Sequence, residues 1–440
     1  MRPLSPPPSL SPPARTEAGG DREGGGLRGR MGGRTMKKRE KEKGRNVVAV
    51  ILDRYEEHSS DWKKYGDEGA AGRRTVFVEQ ELYDEIGRQE LIAQIVELSK
   101  KGLLDVKWYQ TGSEVECFIY RLEDMNAFYA LDGRRPKREL AQARLKELEE
   151  LIGSREWKPW LLDSLEELRK PLEAGKIPRV YEKKEYYLKA LAGLNQLNEP
   201  IYKRVFSKHF LGKSKVFENE IQGVVISAAR RFHPDVDSDP EVMSAEEVLS
   251  QIFVETYSQE LWIKGPLRLQ VCGKVSGFSE FPFGVGLNAD MLKNAEICQE
   301  QDICKVVTVE NKANFMKMPY EEGTLLVYTH GFFSPKERFF LKKLETVLKK
   351  KRVEYFHTGD LDYGGIRIFQ HIQKNIFPKL QPLWMDEETF LKYAEEAAAV
   401  EEAYLDKLRK LSVPETLEGL KKCILETGKV IEQECMLWKE

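Results

Sequence analysis

The chain is short of the residues that build the commonest metal and cross-link sites. It holds six cysteines and six histidines in 440 residues. Cys117, Cys272, Cys298, Cys304, Cys423 and Cys435 are scattered, with no Cys-x-x-Cys pair. That spacing argues against a zinc ribbon or a disulfide framework, and a reducing, cytoplasmic setting is expected. No apolar run approaches the ~18 residues that a membrane-spanning helix needs, so no membrane association is expected. The first 45 residues also lack the apolar stretch of a secretory signal.

A dominant charge sign is missing as well. The net charge is −2, and residues 1–45 carry twelve Lys or Arg against five Asp or Glu, or +7, which leaves −9 for the remainder. A globally basic nucleic-acid binder is thereby excluded, while a local basic groove is not. The first 45 residues are rich in Pro, Gly, Ser and Arg and are expected to be disordered. Met31 and Met36 within them offer alternative starts. An apolar content of 41% is ample for real cores, and the length suggests two to four domains.

What is present divides the chain into stretches of different rhythm. Residues 46–134 suggest a winged-helix-like domain. Val47 to Tyr55 reads as a helix, and Ile86, Leu91, Ile92, Ile95, Val96 and Leu98 form the stripe of another that Gly102 ends. Leu104–Tyr109 and Val115–Tyr120 around a Thr-Gly-Ser turn predict a hairpin. Residues 135–265 read as a helical arm and DNA-gripping region, with Leu140, Leu145, Leu148 and Leu151 at helical spacing and Pro171 and Pro178 marking a boundary. In residues 266–385 short apolar strands (Leu267–Val271, Lys305–Val309, Thr324–Thr329, Val353–Phe356) alternate with helices (Ala289–Cys298, Pro335–Lys350). That alternation predicts an α/β domain with a parallel sheet covered on both faces. Residues 386–440 read as a helical carboxy-terminal tail.

The chemistry concentrates at the ends of those strands. Asp360 and Asp362 follow the strand Val353–Phe356 at i and i+2, so in extended backbone both point to one side. Glu310 ends the strand Val306–Val309. Ligands bind at the carboxyl ends of strands in open α/β sheets, and three carboxylates there suit a hard divalent cation, Mg²⁺ or Mn²⁺. Such an ion supports phosphodiester hydrolysis. Gly364 and Gly365 open a helix whose backbone N–H groups suit a phosphate. Lys312 and Arg367 are candidate phosphate-neutralising cations, and His330 and His357 candidate proton carriers. A second acidic run, Asp235, Asp237, Asp239 and Glu246, has part of the EF-hand spacing, but Pro240 stands where that loop needs Gly. An exposed loop capping a helix near Ser244 is the reading preferred there.

Two stretches carry a family resemblance. Val-Glu-Asn-Lys-Ala-Asn-Phe at 309–315 and Gly-Asp-Leu-Asp-Tyr-Gly-Gly at 359–365 resemble the Toprim domain of the JetD family. That family supplies the nuclease component of Wadjet plasmid-defence systems and is related to the A-type chain of topoisomerase VI. Gly212–Glu218 resembles its upstream Ser-Lys-x-Phe-Glu element, and the likeness covers roughly residues 200–385. It implies that Glu310 is a metal-binding and acid/base glutamate and that Asp360 and Asp362 hold Mg²⁺. It further implies a homodimer that cuts both strands of DNA beside an SMC-like complex. Water is the expected nucleophile. Two alternatives stay open: strand transfer through a tyrosine such as Tyr83, Tyr202 or Tyr257, and a non-catalytic winged-helix DNA-binding or adaptor protein.

Overall fold

The computed structural model describes residues 45–58, 72–110, 112–257 and 260–437. The stretch expected to be disordered lies outside them, apart from Arg45. The chain divides into two compact units, one ending at Arg134 and one beginning at Arg135.

In the first unit, Asn46 caps helix α1 (Val47–Glu57) by accepting the Ala49 N–H at 2.7 Å. Strand β1 (Arg73–Phe77), helices α2 (Gln80–Ile86) and α3 (Arg88–Lys100), strands β2 (Leu104–Trp108) and β3 (Val115–Arg121), and helix α4 (Met125–Asp132) follow. The stripe expected to form one helix is split, because Gly87 takes a φ of 92° and Ile86 closes the shorter helix. The hairpin β2–β3 lies where alternation places it. It gains β1 as a third strand, giving an antiparallel sheet in the order β1-β3-β2. Leu91, Ile95, Phe118 and Phe128 are fully buried at its core.

The second unit opens with helices α5 (Lys137–Gly153), α6 (Pro159–Glu173), α7 (Lys184–Gln196), α8 (Lys203–Leu211), α9 (Gln222–Phe232) and α10 (Ala245–Gln251). Pro171 lies inside the last turn of α6 and marks no break. Ala141, Leu148, Leu161, Leu165, Phe206 and Phe217 are fully buried in a core continuous with that of the sheet beyond. Phe217, from the Ser-Lys-x-Phe-Glu element, is locked further by its N–H donating to Ser207 Oγ at 3.0 Å.

Next come strands β4 (Leu261–Lys264), β5 (Arg268–Val271), β6 (Lys274–Gly277) and β7 (Val285–Leu287), helix α11 (Ala289–Asn294) and strand β8 (Glu296–Ile297). Strand β9 (Lys305–Val309), helix α12 (Lys312–Lys317), strand β10 (Thr324–Tyr328), helix α13 (Pro335–Leu348), strand β11 (Glu354–Thr358), helix α14 (Tyr363–Asn375) and strand β12 (Gln381–Pro382) continue the chain. The main sheet has the order β12-β11-β9-β10-β4-β7. It is mixed rather than wholly parallel: β9 to β12 run parallel, while β4 and β7 join antiparallel. The expected strand Leu267–Val271 leaves this sheet, since β5 pairs with β6 and β8 in a small antiparallel one. The parallel strands carry β-branched and aromatic residues buried from both sides, as helix-covered strands require. The chain leaves β9 towards β10 on one side and β11 towards β12 on the other, so a crevice opens between the carboxyl ends of β9 and β11.

The tail is built of α15 (Glu387–Lys392), α16 (Glu402–Lys410) and α17 (Glu415–Thr427), after which the chain turns back towards the sheet. No helix among the described residues is long and apolar enough to cross a membrane.

Ser244 caps α10 in a capping box with Glu247, as anticipated, but the acidic loop before it is not simply exposed. Asp235 pairs with Arg338 at 3.1 Å, the buried Asp237 with Arg367 at 2.7 Å, and Asp239 with Lys407 at 2.8 Å. All three aspartates are thus spent on cations of α13, α14 and α16. Arg338 also donates to Gln251 Oε1 at 2.7 Å. Removing its charge by Arg338→Met leaves the buried Gln251 Oε1 and the half-buried Asp235 without their donor and is expected to destabilise the protein by about 3 kcal/mol, read by thermal unfolding.

Candidate metal centre

The crevice between β9 and β11 gathers carboxylates. Val309 and Thr358 are register partners, and the Glu310 N–H extends the pairing by donating to Thr358 O at 3.0 Å. This brings Glu310 beside the segment Gly359–Asp362. Its Oε2 accepts the Asp360 N–H at 3.2 Å. Gly359 makes that approach possible, because a Cβ there would collide with Glu310 Oε2 and lie 3.1 Å from His357 Nε2. Asp362 is the N-cap of α14, its Oδ1 accepting the Gly365 N–H at 2.7 Å. Gly365 is required for a second reason: a Cβ would drive into the carbonyl oxygen of Asp360.

The carboxy-terminal segment completes the centre. Leu361 and Ile431 form an antiparallel bridge, Leu361 N donating to Ile431 O at 2.8 Å. Gln433, 1% exposed, then ties four places together. Its N–H donates to Asp360 Oδ1 at 2.6 Å and its Nε2 to Thr358 Oγ1 at 2.8 Å. Its Oε1 accepts the Asn311 N–H at 3.1 Å, and its carbonyl accepts Asn314 Nδ2 at 3.0 Å. On either side of it, Glu432 and Glu434 reach Asp360, so that one oxygen from each of the three carboxylates lies within 4.8 Å of the others.

Burial and mutual repulsion raise the proton affinity of Glu310, Asp360 and Asp362. Burial holds the Glu310 carboxyl well above the usual range, and the charges of Asp360, Asp362 and Glu432 add to it. Asp360 is pushed up to about 7, first by burial and then by Asp362, Glu432 and Glu434, against the opposing pull of the Gln433 N–H. Burial also raises Asp362. Among the described residues none of these acids has a Lys or Arg nitrogen within 4.0 Å. The donors are hard oxygens only, with no imidazole or thiolate, and their charge is uncompensated. That set fits Mg²⁺ or Mn²⁺.

The other expected residues are placed differently. Arg367 is engaged by Asp237, and Lys312 lies exposed with its ammonium 5.9 Å from the centre of the Trp262 ring. The N–H of Gly365 is committed to Asp362, and Gly364 also hydrogen-bonds to that carboxylate, so neither glycine presents a free anion cradle. His357 is fully buried, with Nδ1 2.9 Å from Thr308 Oγ1, and burial lowers its pKa to about 3. A ring held neutral in this way is a poor proton carrier near pH 7. His330, at φ 47°, pairs with the buried Glu337 at 3.0 Å, which raises its proton affinity and fixes the loop before α13. The sequence reading missed Glu432, Gln433 and Glu434, which sit in a tail read as helical; the alternation Ile-Glu-Gln-Glu at 431–434 is the trace they leave.

Two measurements check this geometry. Gly365→Ala is expected to cost about 2 kcal/mol in chemical denaturation, the scale of an overpacked site. Asp360 has a folded pKa above its unfolded value of about 3.9, so its stabilising contribution is present in acid and is lost as pH rises through about 7. The metal-free protein is therefore expected to lose thermal stability between about pH 4 and pH 7, with a shallower slope in Asp360→Asn.

Comparison with known proteins gives two likenesses. A family profile described as "Wadjet protein JetD, C-terminal" matches residues 278–440, a span that includes β9, β11 and the returning segment. The protein named Wadjet protein JetD from Bacillus cereus (strain Q1) is 28% identical over 409 residues, covering 89% of this chain and 98% of its own length. Likeness over nearly the whole of both chains, joined to the profile across the acidic centre, supports the JetD family for this chain.

Proposed function

We propose that the chain is a Mg²⁺-dependent DNA endonuclease of the Toprim class that acts, as its relative's name indicates for that protein, within a Wadjet system. The observation that carries the reading is the convergence of Glu310, Asp360, Asp362, Glu432 and Glu434 at the switch point of a mixed α/β sheet, without a cationic partner among the described residues. Carboxylates forced together at this density need a cation, and a cation at this place suits a polyanionic substrate. In this reading β9–β12 and their helices are the Toprim core, and the amino-terminal unit, with its three-stranded sheet and helices, is a winged-helix-like DNA-docking module. A homodimer supplies the second centre that a double-strand cut demands.

Asp360, Glu432 and Glu434 would hold the ion, with Glu310 and Asp362 facing the same charge. When bound, Mg²⁺ neutralises non-bridging phosphate oxygens and activates water. Glu310, buried and with raised proton affinity, is suited to take a proton from the attacking water at its carboxylate. Gln433 fixes the orientation of Asp360, and Asp362 anchors the loop through its cap of α14. Water is favoured over tyrosine as nucleophile. Tyr404 has its hydroxyl 2.6 Å from the Tyr363 N, but burial raises its pKa and the Asp362 charge adds to the shift, which opposes phenolate formation.

The test is plasmid cleavage with and without Mg²⁺, in the presence of the other components of the system. Nicking or linearisation is expected in Mg²⁺ and not in chelator, and is expected to fall to background in Glu310→Ala and Asp360→Ala. A covalent protein–DNA adduct trapped by denaturant would overturn water as the nucleophile. DNA binding with no cleavage under any metal would favour an adaptor.

A further inference from the structure

A small hydrophobic cluster lies on one face of the main sheet. Val307, Leu326 and Leu383 floor a cavity of about 270 Å³, closed in part by Met436 of the returning segment. A space near the lower limit of small-ligand sites suits one planar ring system with its substituent outside. Lys305, Lys317 and Lys392 stand around it against Glu321. Lys305 reaches Glu321 at 3.9 Å, whereas Lys317 and Lys392 have no carboxylate within 4.0 Å among the described residues.

Trp384 gives the cavity its character. It is 46% exposed and held at φ 60°, a conformation unfavourable for a bulky residue. Its neighbours explain the constraint. Leu383 donates its N–H to His357 O at 2.7 Å, extending the sheet, and Met385 is fully buried. The backbone is therefore turned so that the indole remains at the cavity wall instead of joining the core. Tyr393 lines the same wall, with the Lys392 ammonium 5.1 Å from its ring centre. An apolar floor, an indole kept exposed and two ammonium groups without acidic partners match a base that stacks and a phosphate that is neutralised.

We propose that this cavity binds a single nucleotide, its base against Trp384 over the apolar floor and its phosphate on Lys317 and Lys392. A free nucleotide and a base turned out of a DNA strand present the same chemistry. The site stands apart from the acidic centre, although Asn314 lines the cavity and also donates to Gln433. The inference does not rest on the hydrolytic reading.

Titration calorimetry on the full chain in chelator tests it, with dAMP and with inorganic phosphate as separate probes. Saturable dAMP binding is expected, at least about tenfold weaker in Trp384→Ala, the scale of a lost base–aromatic stack. The double variant Lys317→Ala/Lys392→Ala changes only exposed side chains, so it keeps the fold, and it is expected to weaken binding comparably. If dAMP does not bind, a single-stranded oligonucleotide carrying 2-aminopurine supports the extruded-base source when its fluorescence change is lost in Trp384→Ala. The assignment is overturned if neither probe responds, if the response is the same in the wild type and both variants, or if inorganic phosphate binds as tightly as dAMP.

Discussion

The constraint on which the second unit turns is the repulsion among carboxylates confined at one sheet edge. Each would be more stable in water, and burial without a cation raises the proton affinity of Glu310, Asp360 and Asp362 together. The fold tolerates this because the backbone supplies donors where no lysine or arginine does. The Asp360 N–H meets Glu310, the Gln433 N–H meets Asp360, and the Gly365 N–H meets Asp362. These neutral dipoles position the acids without cancelling their charge.

Cations of the neighbouring helices are paired with the other acidic run. Asp235, Asp237 and Asp239 capture Arg338, Arg367 and Lys407. The second acidic run is thus complementary to the first: it clamps helices through charge, while the first stays uncompensated. The contrast between paired and unpaired acids separates scaffold from site more sharply than the presence of acidic residues alone.

Legibility followed the range of the interactions. Strands β9, β10 and β11 were readable because a short apolar run bounded by polar and turn residues is a local signal. Glu310 and Asp360 could be joined because parallel strands bring their carboxyl ends to one edge. The antiparallel partners β4 and β7 were not readable, since edge pairing depends on distant partners rather than on the pattern of the strand itself. Arg367 misled for the same reason: nothing near it in sequence announces Asp237. Glu432, Gln433 and Glu434 were hidden by the longest separation of all, and their role comes from where the tail docks.

That separation also sets an order of events. Asn311 and Gln433 lie 122 residues apart. At the usual pace of synthesis, ~5–20 residues per second, the strand that carries Glu310 leaves the ribosome roughly 6 to 24 seconds before Gln433 arrives. The strand with Glu310 is thus synthesised before Glu432 and Glu434 exist, and the acids of the tail are the last to join the centre. A chain whose acidic centre is closed by a late segment leaves that centre incomplete for most of the time it is being made.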